Sequence, residues 1–327
     1  MTIYDIAKAA NTSPSTVSRY FNNKKIKEET KKRIEQILKD SNYTPNAMAR
    51  GLVSKKTKTI GIILIDIRLP HYAEAAYELE CQLRDLGYNI IISNTHGNIE
   101  KTVDSIKNLK NYHVDALAFL GSIFTKLNET AEILNLLKDI PVLMVNSNLS
   151  LPNAYSLLVD DAYGIEICVD YEVKKGRKNL FLIIDSDTTS SKNKVLGFNR
   201  ALKKFNLEYE NHVIYTPIKG VQGGIYAYEE IKKRTLDCDV ILCAEDILAV
   251  GIVNHLEKLG ITPGKNIDVI GYNNSTYSEI TVPSLTSVDT RPTHQATLMV
   301  EMLLKMLTNK LVTSLTFKPE LVIKETA

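Results

Sequence analysis

The chain has 327 residues, 44% of them hydrophobic and 24% charged, as expected of a globular protein that can bury a core. At roughly 100–200 residues per domain, this length predicts two or three domains. The net charge of +2 indicates no partner by itself. No apolar segment follows Met1 and no apolar run approaches about 18 residues, so we expect a chain that is neither exported nor membrane-spanning.

Charge is distributed unevenly along the chain. Residues 1–58 hold 13 Lys/Arg and 5 Asp/Glu, a balance of +8, and the remainder hold 27 and 33, a balance of −6. A basic N-terminal region on an acidic remainder favours a polyanionic partner such as nucleic acid. The alternative is a basic patch that serves solubility only.

Residues 1–44 are predicted to form a small all-α domain of three helices. The first has one apolar face, and Asn11-Thr12-Ser13 then interrupts the pattern. The third runs from about Glu29 to Ser41. The residues expected to face inward are Ile3, Ile6, Ala7, Ala10, Val17, Tyr20, Phe21, Ile34, Ile37 and Leu38.

The first two helices and their three-residue turn have helix-turn-helix proportions. Asn11 tolerates a left-handed backbone, Ser13 can cap the second helix, and Pro14 suits its first position. The outer face of that helix then carries Ser15, Thr16, Ser18 and Arg19. Hydroxyls can donate to a phosphate backbone and an arginine can bind guanine, so this face favours DNA binding. The alternative is that the hydroxyls only cap the helix and Arg19 is solvated.

Residues 45–58 contain at most two helical turns, from about Asn46 to Val53, followed by a basic polar run. A segment this short is not a stable helix by itself. It is either a linker or an element that folds on binding a partner.

Residues 59–327 alternate apolar runs with helical stretches. The runs are continuous, as is typical of parallel strands covered on both faces: TIGIILIDI, NIIISNT, DALAFLG, PVLMVN, SLLVDD, LFLIIDS, VILCAED and DVIGYNN. Helical patterns start near Pro70, Glu100, Lys126, Ala162, Lys192, Gly224, Ile247 and Thr293. This repeat predicts α/β architecture with doubly wound parallel sheets, and the number of strands favours two lobes that separate near Asp160.

Separate motifs follow one another along the whole chain: TIYDIAKAANTSPSTVSRYFNN, YTPNAMARGL, TIGIILID, VDALAFLG, LGFNRAL, CAEDILAVGI and DVIGYNNS. In this order they resemble the LacI/GalR (lactose-repressor) family of bacterial transcription regulators, and SKKTKTIGI is also similar to its catabolite control proteins. The resemblance implies a helix-turn-helix domain over 1–44, a hinge helix and linker over 45–58, and an effector-binding and dimerisation domain over 59–327.

The last domain resembles the periplasmic sugar-binding proteins, with an N-lobe of about 59–159 plus 290–316 and a C-lobe of about 160–289 plus 317–327. The implied protein is a cytoplasmic homodimer that binds a pseudo-palindromic DNA operator. It would repress carbohydrate-use genes under control of a small sugar or sugar-phosphate effector.

The resemblance also assigns DNA-contacting residues. Ser15 and Arg19 would face bases beside Pro14, and Leu52 would enter the minor groove as a wedge. Residues at the phosphates or on the hinge helix would be Thr2, Tyr4, Ser13, Thr16, Ser18, Asn22, Thr30, Asn46, Ala49 and Arg50. Asn11 replaces the commoner glycine of the turn. The alternative for Leu52 is packing between domains.

An effector is expected between the lobes, because ligands of open α/β sheets bind at the carboxyl ends of strands. The implied residues are His71, Tyr72, Asn146, Lys194, Lys219, Glu245 and Asn273. Lys194 stands where the family often has arginine, Asn146 and Asn273 where it often has aspartate, and Glu245 where it has an uncharged residue. Given these departures, a neutral sugar and an anionic sugar phosphate are both alternatives for the effector. A purely structural ion pair, such as Lys194 with Glu245, is the third alternative.

Motifs for catalysis and cofactors are absent from the sequence, so we expect no enzyme activity and no cofactor. There is no GxGxxG after a strand, no GxxxxGK[ST], no GxSxG and no HxxxH pair for a metal. GVQGG is predicted to be a turn, and the carboxylates at Asp160, Asp161, Asp185 and Asp187 to belong to an interlobe crossing and to loop caps.

The four cysteines show no CxxC spacing, which favours free thiols in a reducing compartment. The competing classes are a sugar-binding protein and a sugar-processing α/β enzyme, neither binding an operator.

Overall fold

The computed structural model describes residues 2–21, 24–41, 56–207, 211–234 and 237–327. Its first part contains three helices: α1 (Ile3–Ala9), α2 (Pro14–Phe21) and α3 (Glu28–Asp40). A capping box starts α1, in which Thr2 and Asp5 each accept a backbone hydrogen bond from the other. The predicted inward faces are confirmed, since Ile6, Val17 and Ile34 are fully buried in one small core.

The described residues between 59 and 327 form two six-stranded sheets, which confirms the predicted fold class. The first sheet is wholly parallel in the order β11-β5-β4-β3-β1-β2, and the second is parallel except for β12 in the order β12-β10-β9-β8-β6-β7. The strands are β1 (Thr59–Leu64), β2 (Asn89–Asn94), β3 (Ala116–Leu120), β4 (Val142–Val145), β5 (Ala154–Val159), β6 (Leu180–Ile184), β7 (Val213–Tyr215), β8 (Val240–Cys243), β9 (Asp268–Tyr272), β10 (Thr286–Asp289), β11 (Leu315–Phe317) and β12 (Glu320–Val322).

Helices cover both faces of each sheet. They are α4 (Pro70–Asp85), α5 (Ile99–Asn111), α6 (Ala131–Leu137), α7 (Asp161–Lys174), α8 (Thr189–Lys204), α9 (Gly220–Lys233), α10 (Asp246–Lys258), α11 (Thr276–Ile280) and α12 (Pro292–Leu307), with a 3-10 helix over Ser122–Glu129. The central strands are buried along their length because apolar side chains pack on both faces.

The chain passes between the two sheets at three places. It leaves the first sheet after Val159, returns to it after Asp289, and crosses again between β11 and β12. The two lobes therefore share three neighbouring connections, which is the arrangement that lets a cleft between them open and close. The domain bounds 1–44, 45–58 and 59–327 and the hinge role of 45–58 stay predictions.

Several local predictions differ from the structure. GVQGG begins helix α9 rather than forming a turn, because its glycines allow the close packing of α9 on α10. The helix expected near Lys126 is a 3-10 helix, followed by α6. Strands β7, β11 and β12 have three residues each and α11 has five, too few for a recognisable pattern. Within the described ranges, no helix has both the length and the apolarity that a membrane span requires.

Candidate nucleic-acid interface and ligand cleft

The turn between α1 and α2 is built as the sequence predicts. Asn11 has a φ of 46°, the left-handed conformation that asparagine tolerates. The Ser13 hydroxyl accepts a hydrogen bond from the Thr16 backbone N–H at 3.2 Å, so Ser13 caps α2, with Pro14 as the first helical residue. This cap fixes the direction in which α2 leaves the turn.

The outer face of α2 presents a row of hydroxyls and one guanidinium. Val17 is fully buried, whereas Ser15 and Arg19 are exposed. The Ser13 hydroxyl lies 2.7 Å from that of Ser15 and 2.9 Å from that of Thr16. Arg19 donates from Nη2 to the Lys25 carbonyl at 2.9 Å, which orients the guanidinium along the surface. The face therefore combines donors for phosphate with one fork-shaped donor for a base edge.

Other predicted DNA contacts have different surroundings. The side chain of Tyr4 is exposed, and that of Ser18 is partly buried. Thr2 uses its hydroxyl to cap α1, and Thr30 is only 8% exposed. Asn22, Asn46, Ala49, Arg50 and Leu52 lie outside the described residues. The assignment of all these residues to DNA stays a prediction.

A cavity of about 420 Å³ lies between the two sheets at the carboxyl ends of their strands. The structure brings all seven predicted effector residues to its lining: His71, Tyr72, Asn146, Lys194, Lys219, Glu245 and Asn273. Asn146 and Asn273 follow β4 and β9 in left-handed conformations, with φ of 58° and 97°. The Asn146 Oδ1 accepts from the Val159 backbone N–H at 3.0 Å, directly before the first crossing between lobes.

Lys194 is held by its own lobe instead of by a carboxylate. Its ammonium donates to the Ala244 carbonyl at 2.8 Å and lies 3.6 Å from the centroid of the Tyr272 ring. The Tyr272 hydroxyl in turn donates to Asp161 Oδ1 at 2.7 Å. Lys194 makes no ion pair with Glu245 within 4.0 Å, so the structural alternative considered for this pair is wrong.

Burial and neighbouring charge shift several pKa values in the cleft. Burial, and then the charge of Lys194, lower the pKa of His71 to about 4, so this imidazole is neutral at physiological pH. Burial and the nearby Glu245 raise the pKa of Asp185 to about 6. The pKa of Glu245 is also raised by burial, against the opposing effect of Lys194 and Lys219. In the described part of the chain, no group of three or more His, Cys, Asp or Glu side chains could hold a metal ion.

Comparison with known proteins identifies the family. Residues 2–46 match the model for bacterial regulatory proteins of the lacI family, and residues 169–327 match that for a periplasmic binding protein-like domain. Catabolite control protein A of Staphylococcus epidermidis is 31% identical over 290 residues, which cover 88% of this chain and 87% of that protein. The chain belongs to the LacI family of bacterial regulatory proteins. This LacI-family chain is a transcriptional regulator, and its α1–α2 unit is the DNA-binding helix-turn-helix.

Solved structures show the same fold over the full length of this LacI-family chain. The lac repressor dimer bound to operator and the anti-inducer ONPF has a TM-score of 0.86 at 20% identity, covering 100% of this chain and 98% of that one. The transcriptional regulator CelR in complex with cellobiose has a TM-score of 0.71 at 20% identity, covering 100% of each chain. At these identities the likeness establishes the fold and leaves the ligand open.

The cleft lining of the LacI-family chain also includes residues that were not among the predicted ligand contacts, and Asp161, Asp185 and Tyr272 are three of them. Asp160 does cap α7 through the Tyr163 N–H, and Asp187 forms an ion pair with Lys192 at 3.1 Å. The expectation of a loop cap at Asp185 stays a prediction, and its Oδ1 is buried without a hydrogen-bond partner in the described part of the chain. The available signal was its position directly after β6.

Proposed function

We propose that this LacI-family chain is a homodimeric repressor of carbohydrate-use genes, acting on DNA in the cytoplasm. It would read a pseudo-palindromic operator with α2 and sense a carbohydrate in the cleft. The observation that carries this proposal is the outer face of α2, where Arg19 and Ser15 are exposed while Val17 locks the helix in place. A regulator, rather than an enzyme, is supported by the regulatory relatives.

On the operator, Ser15 and Arg19 would contact base edges in the major groove. Ser13, Thr16 and Ser18 would bind the flanking phosphates, and their short side chains would let the helix approach the backbone closely. A dimer places two such helices about one helical turn of DNA apart, which explains a site with two-fold symmetry. The lac repressor structure is likewise a dimer on its operator.

In the cleft, a carbohydrate would meet both polar and ring-shaped side chains. The amides of Asn146 and Asn273 and the carboxylates of Asp185 and Glu245 suit hydroxyl groups, and the rings of His71 and Tyr72 lie 4.1 Å apart on the opposite wall. A sugar phosphate would place its charge near the two carboxylates, so the geometry favours a sugar without phosphate. The CelR–cellobiose complex supports a sugar in this fold.

A ligand bound in the cleft would affect DNA binding by changing the angle between the two lobes. A ligand that contacts both walls stabilises one angle between the lobes, and that angle sets the spacing of the two DNA-binding heads in the dimer. Asn146 lies at the cleft and holds Val159, so a contact made by its amide nitrogen acts directly beside the first crossing.

Selection from a random DNA pool, followed by fluorescence anisotropy at fixed salt, tests the proposal. We expect a symmetric site to be enriched, and one sugar from a broad panel to change its affinity by about fivefold or more. A selection that enriches no symmetric site would overturn the repressor assignment. A protein that binds the operator but responds to no carbohydrate would overturn only the effector class.

A further inference from the structure

Two cleft carboxylates lie side by side on neighbouring strands. Strands β6 and β8 are parallel with Ile183 opposite Cys243, and the Ala244 N–H donates to the Ile183 carbonyl at 2.9 Å. Asp185 and Glu245 follow in the same register, two residues beyond that pair. Since neighbouring strands are about 4.8 Å apart, the two side chains leave the sheet edge close together. Both line the cavity between the lobes.

In the part of the chain that the structure describes, one oxygen of Asp185 and the side chain of Glu245 have no hydrogen-bond partner. The Asp185 Oδ1 is buried and accepts no hydrogen bond there. Glu245 precedes α10 but does not cap it, and no described side chain pairs with its carboxylate. Asp185 and Glu245 are both half-buried, and a carboxylate oxygen that is removed from water without a donor is costly, because it has lost the hydrogen bonds that water supplied. This arrangement indicates that the ligand itself supplies hydrogen-bond donors to the two carboxylates.

The cleft lysines do not supply these donors. The Lys194 ammonium is held on the Ala244 carbonyl and the Tyr272 ring, and Lys219 is exposed. Neither ammonium lies within 4.0 Å of Asp185 or Glu245. Asp161 and Asp187 add two carboxylates to the lining and Lys126 adds a third lysine, while His71 is neutral. The cleft therefore presents more negative groups than positive ones, with the imbalance at the Asp185–Glu245 pair.

We propose that the effector is an amino sugar with a free ammonium group, which bridges Asp185 and Glu245. This inference rests on the proposed carbohydrate effector and specifies its chemical class. An ammonium has three N–H donors and a positive charge, so it can donate to both carboxylates and neutralise their repulsion. A neutral hydroxyl would leave two adjacent carboxylates that only the more distant charges of Lys194 and Lys219 offset. N-acetylation removes the charge, and a phosphate would add another negative one.

Isothermal titration calorimetry of the full chain at pH 7.5 tests the proposal. The probes are D-glucosamine, D-galactosamine and D-mannosamine, each beside its parent hexose, its N-acetyl derivative and its 6-phosphate. We expect one amino sugar to bind at least about tenfold more tightly than its parent and its N-acetyl derivative. Glu245→Gln and Asp185→Asn should each remove that preference, so that the amino sugar binds no more tightly than its parent hexose.

The matched control is Asp170→Asn, which removes a carboxylate of α7 that pairs with Lys204 at 2.8 Å. It should leave the preference unchanged. A parent hexose, N-acetyl sugar or 6-phosphate that binds as well as the amino sugar would overturn the inference and leave the carbohydrate effector standing. Such a result is expected if Lys219 moves onto the carboxylates when the cleft closes. If no sugar of any class binds, the proposed effector fails, and the amino-sugar inference fails with it.

Discussion

Arg19 donates from Nη2 to the Lys25 carbonyl at 2.9 Å, which orients its guanidinium. Among the described residues the other N–H groups of this guanidinium have no partner, so they can meet a base edge. We expect Arg19→Ala to weaken operator binding by about 1–3 kcal/mol and to relax selectivity at one base position. Anisotropy titrations against the operator and its single-base variants would measure both effects.

Two further variants separate base contact from charge. Arg33→Ala removes an exposed guanidinium on α3 that lies 3.7 Å from Glu29, and it should leave selectivity intact. Arg19→Lys keeps the charge but lacks the planar fork, so it should keep non-specific affinity and lose selectivity. Full selectivity in Arg19→Lys would show that Arg19 contacts phosphate only.

The raised pKa of Asp185 predicts that the free energy of unfolding depends on pH. Its pKa is about 6 in the folded chain against an ordinary 3.8, so the folded state holds the proton more tightly than the unfolded state. Stability therefore falls as pH rises from about 4 to about 6, by about 1–3 kcal/mol, and stays lower above that range. We expect Asp185→Asn to raise the free energy of unfolding at pH 7.5, with the gain shrinking towards pH 4.

Denaturant unfolding of the parent and the variant across this pH range would show the effect. Asp187→Asn is the matched control, since Asp187 is exposed and its pKa is lowered by the hydrogen bond from Lys192. It should change stability little, because exposed ion pairs contribute about 0–1 kcal/mol. A gain for Asp185→Asn that is equal at pH 4 and pH 7.5 would contradict the assigned cause.

Sequence reasoning found the seven cleft residues because the carboxyl ends of parallel strands meet at one edge, whichever side chains follow them. It did not predict that the Asp185 Oδ1 is buried without a hydrogen-bond partner in the described part of the chain. The surroundings of Asp185 depend on the register of β6 against β8 and on the contact of Lys194 with the Tyr272 ring. Both arise only when the folded chain packs. Partner choice among buried charges is a tertiary property that spacing along the chain does not encode.

Among the elements, length decided what could be predicted. Helices α4, α5 and α7 start at Pro70, Ile99 and Asp161, each within one residue of its predicted start, whereas α8 and α9 start three and four residues before theirs. All five have 13 or more residues, so each was predicted as a helix even where its start was not exact. The edge strands β7, β11 and β12 have three residues each. Their pairing is imposed by the neighbouring strands of the finished sheet, so the local sequence carries little signal for it.

The contact between α9 and α10 gives a prediction about whole elements. A Cβ on Gly224 would collide with the Leu248 carbonyl, and one on Gly251 with the Val221 carbonyl, so the two backbones touch at both glycines. We expect Gly224→Ala to force the helices apart and to destabilise the chain by about 1–3 kcal/mol or more. Gln222→Ala, on the exposed side of α9, should stay within about 0.5 kcal/mol. Equal urea midpoints for the two variants would show that the contact relaxes freely.

At the scale of the molecule, the cleft lies between lobes that the chain joins three times. A ligand held by His71 on one wall and Glu245 on the other would stabilise a single lobe angle. The connection from Asn146 to Val159 and that from Asp161 to Tyr272 both adjoin the first crossing, so a change of angle bears on these contacts. In the proposed function, a ligand in the cleft would act on DNA through residues 42–55, which join the head to the lobes along the chain.

Leu52 lies in this segment, outside the described residues. Its substitution tests whether the segment acts on the DNA. An apolar side chain inserted between base steps costs a few kcal/mol in unstacking, and contacts to the bent duplex offset this cost only at the operator. We therefore expect Leu52→Ala to weaken operator binding by about tenfold and to reduce DNA bending. Non-specific affinity and its salt slope should stay the same, because phosphate neutralisation by lysine and arginine is untouched. Val53→Ala removes a neighbouring aliphatic side chain and should change neither. Unaltered operator affinity and bending in Leu52→Ala would exclude the wedge and favour packing between domains.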